Sequence, residues 1–595
     1  MSSIKLLLLS TATCLFLFSA TVFSQTKPEP TKPEPSGETQ DVIKFDTSLV
    51  QTDVMVFDKN GKFVDGLKPE QFQLKIDKTQ REISFFERIT SGGFSSDREG
   101  VNPADPTVDK LKSDAQRRAI IFYVDDLHLA PDSLERTRKS LLEFINGSIG
   151  KNDLVAIVSP SGQIGFLQQL TSDKDALRSA VARLHYRTQP KTDMDKPPMS
   201  EYIAMKIREG DEQALVFYTQ EVQKQNCYRV RDQLICSVTP QAARQMVKNR
   251  AQQIAVETAP ATDNTLRLLE GLMRTAAQLP GRKLVFVISD GFYLNDVKTG
   301  SLDRIKKVTD AAGRAGVVIY TLDARGIVSD AIDITNTRPL DSKGMLTGAG
   351  IGEISASQDG LNALAKDTGG QAFRNTNRPM YEWVGQVIDE TSNYYLLAWK
   401  PDNEEQKRGK FKNIEVSVVG RPDLKVRFRT SYFKSAALPL LTTKKKPDKD
   451  PTKAREDDMR LVIDAPVSQH EIPAEVDLGM VQMPGFGTRV IATLSIDDSA
   501  LTFELTDGKL SADVDIGGIF YDDKGKPLNS FVGRLRIFPR TSNASDPAGA
   551  TSKKRPVYRF TALVPGGLYQ VRVGIRDLKS SRLGSASDWI KVPKI

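Results

Sequence analysis

Histidine and cysteine are scarce in this chain, and their scarcity excludes several kinds of chemistry. The three histidines, His128, His185 and His470, form no His-x-x-x-His pair, and the three cysteines form no metal-binding pattern. No Gly-x-Ser-x-Gly elbow or phosphate-binding loop motif occurs. The glycine-rich stretch "TGAGIGE", residues 347–353, does not follow a strand, and we expect a flexible loop there. The sequence makes no positive case for catalysis, so we expect a protein that is not an enzyme.

Long apolar runs are also absent beyond the N-terminus. Lys5 precedes an apolar block over residues 6–23, and small residues stand near its end at the usual cleavage spacing. This pattern predicts a signal peptide over residues 1–24, with an uncleaved anchor as the alternative. No other stretch approaches the roughly 20 apolar residues that span a bilayer. We therefore expect an exported protein, periplasmic, on the cell surface or extracellular, without a transmembrane helix after signal cleavage.

Clustered positive charge is missing as well. The formal charge of +8 is mild when spread over 595 residues. The densest basic run, Lys444 to Lys446, lies in a Lys-, Pro- and Thr-rich stretch, residues 435–456, that is typical of a solvated linker. A nucleic-acid-binding protein would instead gather basic and aromatic residues on one face. We therefore expect no nucleic-acid partner.

Signal cleavage removes Cys14 and leaves one close cysteine pair, Cys227 and Cys236, in "NCYRVRDQLICS". Exported proteins form disulfides readily, and apolar and polar residues alternate between the two cysteines as in a small hairpin. We predict a disulfide that closes this hairpin. Two free buried thiols are the alternative.

Proline and strand patterns divide the rest of the chain. The repeat "TKPEPTKPEP" predicts a stiff, extended spacer over residues 25–41. Residues 42–95 and 393–434 carry strand patterns that are each too short for a complete sandwich, so we expect them to pair as one β-sandwich. Residues 457–595, rich in short strands, predict a second, C-terminal β-sandwich.

The middle region, residues 115–392, alternates continuous apolar strands with amphipathic helices. "IGFLQQLT", residues 164–171, reads as one of the strands, and "ATDNTLRLL", residues 261–269, opens a helix. This alternation favours an α/β domain with a mostly parallel, doubly wound sheet that is covered on both faces. Residues 186–259 break the pattern and are interpreted as an insertion above one edge of the domain.

Three segments of this region resemble a von Willebrand factor type A domain: "IIFYVDD", "ATDNTLRLL" and "LVFVISDGF". The flanking segments extend the resemblance over roughly residues 42–434, to a bacterial group of von Willebrand factor A-related proteins that is abundant in Acidobacteria. The resemblance implies a doubly wound, Rossmann-like sheet. It says little about the partner.

The family's functional site is a metal-ion-dependent adhesion site, in which Asp-x-Ser-x-Ser, a Thr and a second Asp surround a divalent cation. By this resemblance Asp125 corresponds to the first Asp, Thr262 to the Thr and Asp290 to the second Asp. Leu127 and Leu129 stand where both serines belong. Leucine offers no lone pair, so two direct ligands are lost.

Two interpretations of these residues remain open. In the first, Asp125, Asp126, Thr262 and Asp290 hold Mg²⁺ or Ca²⁺ in a modified site. In the second, the loop has lost the ion: Asp132 or Ser133 helps to cap one helix, Thr262 caps another, and backbone donors hold Asp125 and Asp290.

The resemblance implies an exported, non-enzymatic, adhesion-type protein that binds a protein partner. We expect the binding face where His128, Asp132, Ser133, Gly291 and Tyr293 converge, with contacts added by the insertion. The alternatives are a secreted hydrolase with an unfamiliar site, in which His128 would be the general base, and a structural component of the cell envelope.

Overall fold

The structure is a computed structural model. All of the residues that it describes belong to one unit, Ser48–Ile595. They are residues 50–90, 93–94, 118–150, 153–187, 192–193, 197–231, 233–277, 279, 281–294, 300–327, 341, 344–346, 349–400, 411–428, 431–433, 459–460, 462–464, 469, 471–506, 509–539 and 554–594. The predicted signal peptide, spacer and linker lie outside these residues.

A five-stranded parallel sheet forms the centre of the middle region, as the continuous apolar runs predicted. Its order is β14-β13-β12-β6-β7. The strands are β6 (Arg118–Val124), β7 (Asp153–Val158), β12 (Arg282–Ser289), β13 (Val317–Asp323) and β14 (Ala372–Phe373).

Eight helices accompany this sheet among the described residues. They are α1 (Pro131–Gly147), α2 (Lys174–Ala182), α3 (Glu201–Glu209), α4 (Glu212–Gln225), α5 (Pro240–Ala276), α6 (Ser301–Ala315), α7 (Ala349–Asp367) and α8 (Met380–Ser392).

Both faces of the parallel sheet are buried because neighbouring side chains on a strand point to opposite sides. Ile120 and Phe122 of β6 pack in a core with α1, α2 and α8, whereas Ile121 and Tyr123 pack in a second core with α5, α6 and α7. The sheet is therefore covered by helices on both sides.

The segments on either side of the α/β region pair with each other in two antiparallel sheets. One has the order β17-β1-β15-β4-β5 and the other β18-β16-β2-β3. Their strands are β1 (Val50–Phe57), β2 (Phe72–Ile76), β3 (Thr79–Arg81), β4 (Phe85–Thr90), β5 (Gly93–Phe94), β15 (Tyr394–Trp399), β16 (Phe411–Val418), β17 (Lys425–Phe428) and β18 (Ser431–Phe433). Side chains of both sheets, including Tyr395 and Trp399, share one core.

The insertion contains β8 (Thr192–Asp193), β9 (Met199–Ser200), α3, α4, and the hairpin of β10 (Cys227–Val230) and β11 (Gln233–Cys236). Cys227 and Cys236 face each other in the hairpin and are bonded, so the predicted disulfide is confirmed. The helix that follows was predicted to open near Thr262, but α5 begins at Pro240 and runs for 37 residues. Pro260 stands inside this helix, where proline is normally unfavourable. The half before Pro260 packs in the apolar core of the insertion, and the half after it packs against the sheet in the core that contains Ile121 and Tyr123.

Two further local predictions were wrong. The stretch 164–171 was expected to be a strand, but Gly165–Leu167 form a 3₁₀ turn, and Leu167 packs in the sheet core from there. The glycine-rich stretch 347–353 was expected to be a loop, but its residues from Ala349 onward belong to α7. The lack of a side chain at Gly352 and Gly360 lets α7 approach Tyr202 and Phe292 closely. Glycine is a weak helix former, but these two positions leave no space for a larger residue.

The C-terminal region consists of β-strands, with sheets β19-β20-β24 and β21-β22-β25-β26 and with β23 beside β22. The strands are β19 (Ala474–Met483), β20 (Gly487–Asp497), β21 (Glu504–Thr506), β22 (Lys509–Asp522), β23 (Pro527–Ile537), β24 (Lys554–Val564), β25 (Gly567–Asp577) and β26 (Leu583–Val592). Most of these strands contribute side chains to one apolar core.

This region packs against the α/β region around Phe166, whose ring lies 5.4 Å from that of Tyr521 and 6.1 Å from that of Trp589. At the edge of the contact, Arg183 forms an ion pair with Asp523 at 2.8 Å. The contact is thus an apolar centre with a charged rim.

Helices with the length and apolar character of a membrane span do not occur in the described part of the chain.

Candidate functional site

The site predicted from the sequence lies at the carboxyl ends of β6 and β12, which are neighbours in the sheet. The chain next reaches β7 on one side of this pair and β13 on the other, so the connections diverge here. Open α/β sheets bind ligands in the crevice at such a point. Asp125 follows β6 directly, and Asp290 follows β12 directly.

Asp125 is fully buried, and both of its carboxylate oxygens accept hydrogen bonds. The Thr265 hydroxyl donates to Oδ1 at 2.8 Å, and the Ser289 hydroxyl donates to Oδ2 at 2.8 Å. The Nδ1 atom of His128 lies 2.8 Å from the same Oδ2. Side chains from three elements therefore surround this carboxylate.

His128 connects Asp125 to Thr262. Its other ring nitrogen, Nε2, lies 3.2 Å from the Thr262 hydroxyl. Asp125 and Thr262, which the sequence resemblance assigns to an ion site, are joined here by an imidazole. The ring is itself buried and lies 5.8 Å from the ring of Phe292.

The electrostatics of the two neighbouring aspartates differ. Burial alone would raise the pKa of Asp125, but the charge of His128 and the hydrogen bonds from His128, Ser289 and Thr265 outweigh it and hold the pKa below its usual value. For Asp126 burial dominates and raises the pKa, although Ser161 and Gln163 donate to its carboxylate. Because Ser161 and Gln163 lie in the loop after β7, Asp126 connects the end of β6 to that loop.

The residues at this point do not fit the divalent cation of a metal-ion-dependent adhesion site. Leu127 and Leu129 are 8% and 2% exposed, and Leu129 packs in the sheet core. Both oxygens of Asp125 are already engaged, and Oδ2 of Asp290 accepts a hydrogen bond from the backbone N–H of Ala130 at 2.7 Å. Within the described ranges, no group of three or more His, Cys, Asp or Glu side chains is arranged to hold a metal ion.

The residues expected to form the binding face are mostly covered. His128, Ser133 and Gly291 are buried, Tyr293 is half-buried, and Asp132 is exposed. Ser133 and Asp132 do not cap α1 with a side-chain hydrogen bond, because the N-cap position is Ala130.

Helix α7 and the insertion form the cover. The backbone N–H of Phe292 donates to the carbonyl of Ser357 at 3.1 Å, and a Cβ on Gly291 would lie 2.3 Å from that carbonyl oxygen. The Tyr293 hydroxyl lies 3.2 Å from the Glu353 carboxylate. A partner cannot reach His128 from this side unless these contacts break.

Sequence reasoning missed Thr265 and Ser289 as partners of Asp125. A signal for Thr265 was present, because it stands three residues after Thr262 and so lies on the same side of a helix. Ser289 directly precedes Asp290 in the motif and, at the end of β12, lies beside β6. The sequence singled out His128 as a binding-face residue or a general base, but it gave no signal for the bridge to Thr262, which lies 134 residues further along the chain.

Comparisons with known proteins add no family. No family model matches the chain, and no curated protein matches it. Among solved structures, a β-glucuronidase from Bacteroides uniformis is similar over 20% of this chain and 13% of its own length, with 10% identity and a TM-score of 0.14. A similarity this short and weak carries no argument about fold or function.

Proposed function

We propose that this chain is an exported, non-enzymatic binding protein that recognises a protein partner through its insertion. In this proposal the α/β region is a von Willebrand A-type scaffold, and its sheet-edge site is structural. The single observation that carries the proposal is the exposed, disulfide-closed hairpin of β10 and β11.

The hairpin presents large apolar side chains to solvent. Tyr228 is 58% exposed, Leu234 66% and Ile235 41%. Tyr228 and Ile235 stand opposite each other on one face of the hairpin, and Leu234 stands opposite Arg229 on the other. Exposed apolar side chains that are grouped on a small element are typical of interaction sites, whereas scattered ones are ordinary.

The hairpin is held in place before any partner binds. Asn226 ends α4, and its carbonyl accepts hydrogen bonds from the backbone N–H and the hydroxyl of Ser237 at the other end of the hairpin. The disulfide joins the same two ends. Such preorganisation lowers the conformational entropy that a recognition element loses on binding.

The charge of the hairpin indicates the class of partner. Arg229 and Arg231 are exposed on it, beside the apolar side chains. Arginine next to tyrosine is a common composition of interface centres. The complementary surface is a folded protein with an apolar patch bordered by carboxylates.

A second candidate function is hydrolysis, and one observation favours it. Asp125, His128 and Thr262 are connected in the order carboxylate, imidazole, hydroxyl, as in a nucleophilic triad. The space beside Thr262 weighs against it, because the adjoining cavity measures about 20 Å³ and holds about one water molecule. A substrate needs far more room, so binding remains the better-supported function.

Photocrosslinking in the producing cells tests the proposal. A photoreactive amino acid replaces Leu234 in the full chain, and the matched control carries it at Leu505, an equally exposed position (73%) of the C-terminal region. We expect a discrete protein adduct from position 234 that Tyr228→Ser/Ile235→Ser abolishes, and none from position 505. Equal labelling from both positions, or none from either, contradicts recognition by the hairpin and favours a structural envelope role.

A further inference from the structure

A second site lies on the other side of the sheet edge from His128. A cavity of about 620 Å³ opens between α1 and α8, above the carboxyl ends of β12, β13 and β14. Ile288, Leu322 and Phe373 from these three strand ends line it. Its volume is in the range of small-molecule pockets, and its place beside the strand ends is where open α/β sheets bind ligands.

The inner wall of the cavity is apolar and aromatic. Phe373 is buried, and its ring lies 4.4 Å from that of Trp383. Met380 lines the same wall. The indole Nε1 of Trp383 is buried, and no described residue accepts a hydrogen bond from it. The wall thus provides apolar and aromatic area for a ligand.

The rim of the cavity is basic. Arg136, Lys139 and Arg378 line it, with Glu143 as the acidic residue among the exposed rim positions. The carboxylate of Asp323 deeper in the cavity is neutralised, since Arg325 lies 2.6 Å and the Gln358 amide 2.7 Å from it.

The basic side chains of the rim differ in whether a carboxylate already pairs with them. Arg378 shares its charge with Glu382 at 3.0 Å and lies over the Trp383 ring at 4.6 Å. Arg136 donates to the carbonyl of Ala324 at 3.0 Å and has no ion pair with a described carboxylate. Lys139 likewise forms no ion pair within the described ranges. The opening therefore keeps positive charge that no described group neutralises.

We propose that this cavity binds a small organic anion, a carboxylate or sulfonate attached to an apolar group. The apolar group lies against Phe373, Met380 and Trp383, and the anion lies at the rim beside Arg136 and Lys139. The site is separate from the hairpin and from Asp125, so it does not depend on the function proposed above.

Calorimetric titration of the full mature chain with decanoate, and in parallel with decan-1-ol, tests this site. The two probes have the same chain length and differ in charge. We expect decanoate to bind at least fivefold more tightly than the alcohol. Decanoate that does not bind below millimolar concentration, or an alcohol that binds equally well, overturns the proposal.

Two variants locate the binding. Lys139→Glu should weaken decanoate binding at least fivefold, whereas the matched control Lys366→Glu, an exposed lysine of α7 away from the cavity, should stay within twofold. Ser140→Trp, which fills the cavity from α1, should abolish binding of both probes without loss of the folded circular-dichroism signal. Equal affinities for the two lysine variants, or full binding by Ser140→Trp, place the ligand elsewhere and overturn the proposal.

Discussion

His128 lies between Asp125 and Thr262, with Nδ1 2.8 Å from the carboxylate and Nε2 3.2 Å from the hydroxyl. One side chain thus joins the loop after β6 to the middle of α5. In the family that the sequence resembles, a cation and its waters make this connection. We infer that the imidazole of His128 is a structural connection between this loop and α5.

Replacement of His128 by alanine tests this inference through stability. The change leaves the buried carboxylate of Asp125 with two hydroxyl donors and removes the imidazole that contacts Oδ2. Loss of a hydrogen bond to a charged group costs about 1.5–3 kcal/mol, and the lost packing of the buried ring adds to it. We expect the free energy of unfolding in urea to fall by about 3 kcal/mol. Asp132→Ala, in the same loop but exposed, should change it by less than about 0.5 kcal/mol. A similar small change for both variants would show that the bridge contributes nothing.

Divalent cations should not bind at this point. Leu127 and Leu129 supply no oxygen, and the oxygens of Asp125 are occupied by protein donors. Calorimetric titration with Mg²⁺, Ca²⁺ and Mn²⁺ should therefore give the same heats of binding for the chain without residues 1–24 and for its Asp125→Ala/Asp290→Ala variant, with circular dichroism as the check that both are folded. Binding that the double change removes would restore the modified ion site and ion-dependent adhesion.

The pH dependence of stability should depend on Asp125. Its folded pKa lies below the ordinary value near 3.8, so the ionised carboxylate stabilises the fold above about pH 4. This contribution is lost as the pH falls through the lower, folded pKa. Asp125→Asn should be less stable than the parent at pH 7, and the difference in unfolding free energy between them should shrink as the pH falls below about 4. Unfolding curves at stepped pH measure it, and a difference that stays constant would contradict the lowered pKa.

The closed hairpin makes a prediction about local stability. A bond between residues nine apart in sequence removes about 2–3 kcal/mol of chain entropy from the open state, whereas the exposed hairpin adds little to the core. We expect Cys227→Ser/Cys236→Ser to leave the thermal midpoint almost unchanged but to make Arg229 and Arg231 rapidly cleavable by trypsin. Reductant should have the same effect on the parent and no further effect on the variant. Equal cleavage of the oxidised parent and the variant would show that the bond does not hold the hairpin.

The parallel sheet was predictable because strands buried on both faces leave continuous apolar runs such as residues 119–124. The disulfide was predictable because one close cysteine pair remains in a chain that reads as exported. Both signals are local in sequence, and they can be read without information about the segments that pack against them.

The cover over the site was not predictable by the same reasoning. Helix α5 runs through Pro260 because the insertion core and the sheet core hold its two halves. Residues 349–353 are helical, and Gly352 lies close against Tyr202 of the insertion. Both helices depend on contacts between segments that are distant in sequence. Together they cover the loop after β6, which the sequence predicted to form an exposed binding face.

The contact between the α/β region and the C-terminal region gives the last prediction. Phe166 lies between Tyr521 and Trp589, and a Cβ on Gly525 would lie 2.6 Å from its ring, so the fit around it is tight. Phe166→Ala removes this apolar centre at a cost of about 2–4 kcal/mol, while the exposed Arg183–Asp523 pair contributes at most about 1 kcal/mol. We therefore expect Phe166→Ala to release the C-terminal region, with a larger radius of gyration in X-ray scattering and faster limited proteolysis of the chain. Asp523→Ala should leave both measurements unchanged. If Asp523→Ala separates the regions as readily, the charged rim rather than the apolar centre holds the contact.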